Sequence, residues 1–556
     1  ALHNGKAPSP LDAVPNELLK YGGAPLHSAL AALFDMQFAL EAKAKTPGVI
    51  RPIYKKGDQT EPANYRPITL GSAVDKLYNS VLNARLMTYL EENGGLHEAQ
   101  HGFRPHRSAV DNVFMLRACL DARLQAKLDT YILFLDIEKA YDRVWRGGLL
   151  WQLWRRGVRG RLFRVLANMV DHTPCMVLHD GAMSDAVLPD LGWEQGDTLA
   201  TTMFNVFVDG VLDNVCASCP GISMDGQAGP WPRLVALMYA DDLASLAASQ
   251  PALQALADAV RAALRLWRLN ASVSESDGSK TAVMCVSRTP GAAMAPVRWG
   301  PLVLPRARAY KYLGVTITED GKWDEHLRHR TASADQAARK CSRVLGDRRL
   351  PMRLRKLVFT ACVQPVLTYA AAVWARPQTT LRQRLDSWQM SWIARAFHCP
   401  PNASHLCLQQ ELGLPPLHVV CETLMLRYWH HLQALPSNRL LACVAKAWGA
   451  AGPWHRAVAR LLPAYTVDAA AAAALPDGAF HTYCANRAMD YLRRYWEAPP
   501  SRRAGVVLGR YREAYGLGST TTTRACPRPY TLDLTEDRPS LRQGLGAELC
   551  MQLRAE

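Results

Sequence analysis

Leu234-Val-Ala-Leu-Met-Tyr239-Ala240-Asp241-Asp242-Leu243-Ala-Ser-Leu-Ala247 sets two adjacent carboxylates between two apolar runs. Each run reads as a buried strand, so the acidic pair reads as the tip of a hairpin at the end of a sheet. Folding alone does not reward that placement, because a crowded or buried carboxylate is costly unless something positive neutralises it. A divalent cation is the usual remedy, and oxygen-only ligands favour Mg²⁺ or Mn²⁺. A solvated turn is the other reading, Asp being a common turn residue.

A second acidic position shifts the balance. Tyr131-Ile-Leu-Phe-Leu135 is a continuous apolar run, expected as a strand covered on both faces. It ends in Asp136, followed by Ile137-Glu138-Lys139-Ala140-Tyr141-Asp142. Alone, Asp136 also fits a strand-to-helix N-cap. Together, three carboxylates on neighbouring strand ends can bridge two divalent ions ~3.5–4 Å apart, a spacing suited to in-line attack at phosphorus.

These segments belong to an ordered series. Gly5-Lys-Ala-Pro8 leads to Val14-Pro-Asn-Glu-Leu-Leu-Lys20, then Ile53-Tyr-Lys-Lys-Gly-Asp58 and Asn64-Tyr-Arg-Pro-Ile-Thr-Leu70. Gln100-His-Gly-Phe-Arg104, Phe134-Leu-Asp-Ile-Glu-Lys-Ala-Tyr-Asp142, Glu194-Gln-Gly-Asp197 with Phe204-Asn205, and Tyr239-Ala-Asp-Asp242 follow. Lys280-Thr281 and Tyr310-Lys-Tyr-Leu-Gly-Val315 close it. The series resembles the reverse transcriptases of non-LTR, target-primed retrotransposons. The likeness spans the first 320 residues and continues more loosely to 435.

The resemblance implies an α+β, right-hand polymerase with a largely helical C-terminal extension. It implies an RNA-directed DNA polymerase that extends a primer 3′-OH on an RNA template, using dNTPs and two Mg²⁺, with Mn²⁺ as the alternative. Asp136, Asp241 and Asp242 match the metal-holding, catalytic aspartates. Tyr141 matches the aromatic that collides with a ribose 2′-OH and so selects deoxynucleotides; a plain core aromatic is its other reading. RNA-dependent RNA polymerases tend to carry an Asp at that offset, whereas here the Asp comes one residue later, at Asp142.

Substrate contacts follow from the same resemblance. Arg66 would clamp the incoming nucleotide, and Lys55 or Lys56 would contact its phosphates, a planar fork beside a point charge. Lysines beside Gly57-Asp58 also fit an ordinary turn. Gln195-Gly196 matches a pair that touches the nucleotide sugar and lets the backbone approach closely. Lys280 matches a lysine that would protonate the leaving pyrophosphate. Its setting departs from the pattern, because Ala271-Ser-Val-Ser-Glu-Ser-Asp-Gly-Ser279 separates it from Asn270.

Composition agrees with a nucleic-acid partner. The chain has 556 residues, 49% of them hydrophobic, and a net charge of +16, with pI near 9.3, which implies a polyanion. It offers no long uncharged apolar stretch and no secretory signal, which argues against a membrane. Between Arg328 and Lys356 lie ten Lys or Arg and two Asp, a net of +8 and half the surplus. A helical segment gripping duplex phosphates would use such charge, weakened by salt; a solvated basic face is the alternative. The 14 cysteines suggest no disulfide framework and favour a reducing compartment, nucleus or cytoplasm, with the nucleus favoured by the resemblance. Cys216-Ala-Ser-Cys219 has zinc-like spacing without a second pair, and Cys399, His405 and Cys407 match no known knuckle.

Four regions are expected: 1–130 as fingers and start of palm, 131–318 as palm, 319–400 as a helical thumb, and 401–556 as an extension of unknown role. Helices are expected around Leu26–Leu40 and Val74–Leu90, Tyr310–Ile317 as a strand, and Leu354–Tyr369 as a helix kinked or ended at Pro365. Ser519-Thr-Thr-Thr-Thr523 reads as a linker or loop. The opening at Ala1, already within the first motif, suggests a fragment or processed piece. No endonuclease or ribonuclease H constellation is evident, so DNA nicking is not assigned. Two other identities fit parts of the pattern: a group II intron-like maturase, and a decayed copy that binds nucleic acid without catalysis.

Overall fold

The computed structural model describes every residue outside 1–2, 6–7, 42–46, 56, 171–173, 194–195, 224–232, 274–279, 292, 400–407, 410–411, 449–451 and 498–556. The chain forms two compact units, one of Ala1–Asn112 with Ala126–Arg308, the other of Val113–Gln125 with Ala309–Glu556.

The first unit holds two four-stranded sheets. They are built from β1 (Gly48–Tyr54), β2 (Tyr65–Leu70), β3 (Thr130–Asp136), β4 (Cys175–His179), β5 (Ala182–Met183), β6 (Ala236–Tyr239), β7 (Asp242–Ala247) and β8 (Ala282–Val286), four strands each. The orders are β2-β1-β4-β5 and β6-β7-β3-β8. In the second sheet every neighbouring pair is antiparallel. Its centre is β3, where Ile132, Leu133, Phe134 and Leu135 are buried. Burying such side chains contributes roughly 1.5–3 kcal/mol each, which explains an unbroken apolar run rather than an alternating one. The amphipathic helix Gln250–Leu266 covers β3 and β7. Helix Ala200–Ser218 lies behind it and is buried along most of its length. A small hairpin of β9 (Arg298–Trp299) and β10 (Leu302–Val303) completes the described strands of this unit. The two expected apolar helices run over Gly23–Ala39 and Ala73–Glu92.

Among the described residues, the second unit is helical apart from one hairpin. The expected single strand over Tyr310–Ile317 is two, β11 (Ala309–Tyr312) and β12 (Val315–Thr318), paired antiparallel. Leu313 and Gly314 turn between them with φ of 46° and 80°, the pattern of a tight two-residue hairpin loop. Pro365 does not end its helix. The chain runs Met352–Val358 as α-helix, Phe359–Val363 as a π turn, and Gln364–Leu367 as α-helix again. A wide turn just upstream accommodates a residue that lacks an N–H and crowds the preceding carbonyl.

Helix Leu417–Ala434 forms the middle of this unit, with helices Thr379–Ala396, Pro453–Ala464 and Asp477–Glu497 against it. Its buried Glu422 accepts hydrogen bonds from Arg382 Nε at 2.6 Å and Tyr465 Oη at 2.8 Å. The Val113–Gln125 segment completes the core: the Phe114 ring meets Tyr428 and Trp454 edge-on at 5.2 and 5.0 Å. Arg117 lies over Trp323 at 4.5 Å, and Asp121 pairs with Arg117 and Arg376, each at 2.5 Å.

Not all the cationic charge in 328–356 faces solvent. Arg355 is fully buried, donating to the carbonyl of Leu345 at 2.7 Å and to that of Ala396, with Phe397 against its guanidinium. It holds the helical core and is removed from the set that could touch phosphate. Arg328, Arg339, Lys340, Arg343, Arg348, Arg349 and Arg353 remain exposed.

Candidate active site

The antiparallel register of β3 with β7 pairs Asp136 directly with Asp242. That of β6 with β7 pairs Tyr239 with Asp242, leaving Ala240 and Asp241 as the two residues of the loop. Asp136 and Asp242 are therefore fixed by sheet pairing at one end of the sheet, with Asp241 on the loop beside them. Asp241 is raised above the ordinary carboxylate range by burial and the charge of Asp136, partly offset by Lys280 and Arg66. Asp242 is pushed up to about 6 by burial, then by the charges of Asp241 and Asp136. The carboxylates sense one another and are under-neutralised by the protein.

Lys280 supplies the nearest positive charge. Its Nζ donates to both oxygens of Asp136 at 3.0 Å, while most of its side chain stays exposed. The β3–β8 register explains this despite the insertion. Pairing Phe134 with Ala282 and running two residues further brings Lys280 opposite Asp136. Asn270 stays at the same strand end, its carbonyl accepting from Glu138 N–H at 2.9 Å, with Ser272 N–H bonded to the Asp136 carbonyl at 2.9 Å. Asn270 and Lys280 thus stand at the same strand end despite the nine residues between them.

Tyr141 begins the short 3₁₀ turn Tyr141–Arg143 just beyond β3. Its ring stacks on Phe204 at 4.6 Å, and its hydroxyl is pushed well up by burial and by the Asp241 charge. Gly196 has φ of 115°, and a Cβ there would stand 2.8 Å from the Thr69 carbonyl oxygen, so only glycine fits against β2. Arg66 lies on β2 opposite Ile53, exposed, and its charge reaches Asp241. Lys55 is exposed, in a loop tied by Tyr54 Oη to the Gly57 carbonyl at 2.6 Å and by Asn64 Nδ2 to the Asp58 carbonyl at 2.9 Å. Lys56 and Gln195 lie outside the described residues.

Among the described residues, no group of three or more His, Cys, Asp or Glu side chains stands assembled to hold a metal ion. The donor chemistry nevertheless fits a hard divalent cation: three carboxylates at one sheet end, two of them raised by burial and then by the charge of their acidic neighbours. Cys216 and Cys219, by contrast, are both pushed up by burial, away from thiolate. His405 and Cys407 lie outside the described residues. No described helix is long and apolar enough to cross a membrane.

Residue-type reasoning assigned no role to Gln100-His-Gly-Phe-Arg104, and the structure supplies one. The Ala99–Gly102 backbone runs along the outer edge of β6, with Met238 N–H bonded to the Ala99 carbonyl at 2.8 Å and His101 N–H to the Met238 carbonyl at 2.9 Å. The buried Gln100 side chain reaches the hairpin loop itself, accepting from Ala240 N–H at 3.0 Å and donating to the Ala240 carbonyl at 3.3 Å. Its sequence signal was the quoted motif alone, because the contact spans 140 residues.

Residues 53–317 match the family model described as reverse transcriptase (RNA-dependent DNA polymerase). The chain is 28% identical over 269 residues to the "Retrovirus-related Pol polyprotein from type-1 retrotransposable element R2" of Popillia japonica, covering 47% of this chain and 36% of that one. It is 24% identical over 428 residues to the "RNA-directed DNA polymerase from mobile element jockey" of Drosophila funebris, covering 75% and 45%. Among solved structures, a telomerase from Candida tropicalis in complex with a telomeric RNA fragment aligns with TM-score 0.38 and 11% identity over 76% of this chain and 68% of that one. The chain spans about two fifths of the length of the curated relatives it matches.

Proposed function

We propose that this chain, whose residues 53–317 match the reverse transcriptase family model and which is similar to polymerases of non-LTR retrotransposons, extends a primer 3′-OH on an RNA template with deoxynucleotides. The observation that carries the reading is the register that sets Asp136 against Asp242 with Asp241 on the adjoining loop. Strand pairing sets Asp136 against Asp242 at a sheet end, next to Asp241 on the loop, and such crowding of carboxylates is an arrangement stability does not require.

Asp136, Asp241 and Asp242 would hold two Mg²⁺, or Mn²⁺, whose charge lowers the pKa of an attacking hydroxyl and offsets that of a departing pyrophosphate. The rest falls to side chains. Arg66, exposed on β2 and electrostatically coupled to Asp241, holds the triphosphate, with Lys55 or Lys56 as a second cation. Lys280 neutralises Asp136 until a nucleotide arrives, then turns to the leaving group as its proton donor. Tyr141, braced by Phe204, presents a ring too rigid to move aside for a 2′-OH. Gly196 and Gln195 border the sugar. The substrates are an RNA template, a DNA primer and dNTPs, and the setting is a reducing compartment, the nucleus foremost.

Primer extension on an RNA template with Mg²⁺ tests this. The unaltered chain should incorporate dNTPs and discriminate against rNTPs, and Asp241→Ala should abolish synthesis while template–primer binding persists. Extension that survives Asp241→Ala, or that accepts rNTPs equally, would overturn the assignment of the aspartate or of the sugar gate respectively.

A further inference from the structure

The β6–β7 loop is built against the preference of its own sequence. Ala240 has φ of 59°, the left-handed region in which a side chain is strained and glycine is the usual occupant. At a hairpin tip, moreover, neither the N–H nor the carbonyl of Ala240 belongs to the ladder, which ends with the Tyr239–Asp242 pair. The neighbouring carboxylates make matters worse, since Asp241 and Asp242 repel Asp136 across the sheet end. Something outside the hairpin must hold it.

We propose that Gln100 is the positioning residue of this hairpin: its buried amide clamps Ala240 in the left-handed conformation and so sets where Asp241 and Asp242 stand. The inference deepens the polymerase reading and rests on it for its catalytic consequence, though not for its structural one. Gln100 is fully buried. Its Oε1 accepts from Gly102 N–H at 2.8 Å and from Ala240 N–H at 3.0 Å, and its Nε2 donates to the Ala240 carbonyl at 3.3 Å. One side chain therefore satisfies both backbone groups of the strained residue.

An amide does both, whereas a carboxylate accepts without donating and a hydrocarbon does neither. Gly102 makes the approach feasible: a Cβ there would lie 2.4 Å from Ala240 N and 3.0 Å from its Cα, backbone atoms that cannot yield. The clamp is itself anchored. Asn205 Nδ2 donates to the Gly102 carbonyl at 2.6 Å, Asn112 Nδ2 to the Met238 carbonyl at 3.0 Å, and Arg104 to the Gln100 carbonyl at 3.0 Å.

The test is a double-mutant cycle of Gln100→Met with Ala240→Gly, read by amide exchange at residue 240, Mn²⁺ binding by calorimetry without nucleotide, and primer-extension kinetics. Gln100→Met should expose the Ala240 amide to exchange, weaken Mn²⁺ binding and lower kcat by roughly tenfold to a hundredfold, leaving KM for dNTP within about twofold. In the Ala240→Gly background the same change should lose far less, because glycine holds the turn unaided. Equal losses in both backgrounds, or lowered thermal stability with unchanged exchange and Mn²⁺ affinity, would overturn the proposal. If Gln100→Met does not fold, Gln100→Glu replaces it, keeping the acceptor for Ala240 N–H and removing the donor to its carbonyl. Unchanged Mn²⁺ affinity and kcat in that variant would equally sink the clamp. A chain that never extends a primer defeats the polymerase reading, while exchange and Mn²⁺ binding still decide the clamp.

Discussion

Asp242, pushed up to about 6 by burial and then by its two acidic neighbours, gives the site a pH dependence of definite sign. Its carboxyl titrates above its unfolded value near 3.8, so the folded, cation-free protein binds the proton more tightly than the unfolded chain. Cation-free stability should fall as pH rises from about 4 through about 6. Cation binding requires the ionised form and should strengthen over the same interval. Thermal unfolding at pH 5 and 7.5 therefore has opposite expectations with and without Mg²⁺: without it the protein melts lower at pH 7.5, and the Mg²⁺-induced rise in Tm is larger there. Asp242→Asn should flatten both trends. A Mg²⁺ effect that is the same at the two pH values would refute this account of the carboxylates.

At this scale the sequence was readable wherever a residue type is chemically expensive to place. Adjacent aspartates between apolar runs, and an Asp ending a buried strand, pointed to the sheet end where both are found. Gln100 was not readable in the same way. A buried amide looks like any other buried amide until the backbone it serves, 140 residues away, is in view. Arg355 misled for the converse reason: its charge counted toward a phosphate grip, yet its guanidinium is spent on two helix-end carbonyls.

Elements were legible where one periodicity ran unbroken. Strand β3 and the helices Gly23–Ala39 and Ala73–Glu92 lie close to their expected positions. The hairpin β11–β12 was read as a single strand because apolar and aromatic residues continue through Leu313-Gly314, masking the turn. Gly314 carries that hairpin. Its φ is 80°, and a Cβ would stand 2.9 Å from the Tyr369 ring, whose hydroxyl donates to the Leu313 carbonyl at 2.9 Å. Gly314→Ala should destabilise the second unit by about 1–2 kcal/mol, seen as a lowered urea midpoint with an unchanged slope. A neutral result would show that the turn relaxes without glycine. The π turn before Pro365 escaped prediction because nothing in residue type distinguishes a kink from a widened turn.

The whole molecule consists of units whose chain segments interleave, so sequence boundaries are poor guides to cutting it. The expected division near 318 and the structural one after Arg308 put β11–β12 on different sides, and the expected 1–130 region includes the Val113–Gln125 segment that falls in the second unit. A fragment beginning at Ala309 lacks Val113–Gln125, and with it Phe114, Leu116, Cys119 and Leu120, all fully buried. Such a fragment should fail to give a cooperative thermal transition alone. Adding the missing segment in trans, or fusing it through a flexible linker, should recover one. A fragment from Ala309 that melts cooperatively by itself would show the segment to be dispensable.

That interleaving also bears on how the polypeptide is made. During synthesis the apolar Val113–Gln125 segment leaves the ribosome long before Tyr428 and Trp454, the rings that will enclose Phe114. At roughly 5–20 residues per second, its partners follow only after some tens of seconds. The nascent chain must carry an exposed apolar segment through that interval. Translation speed and chaperone supply would then govern the yield of folded protein at least as much as the stability of the finished one.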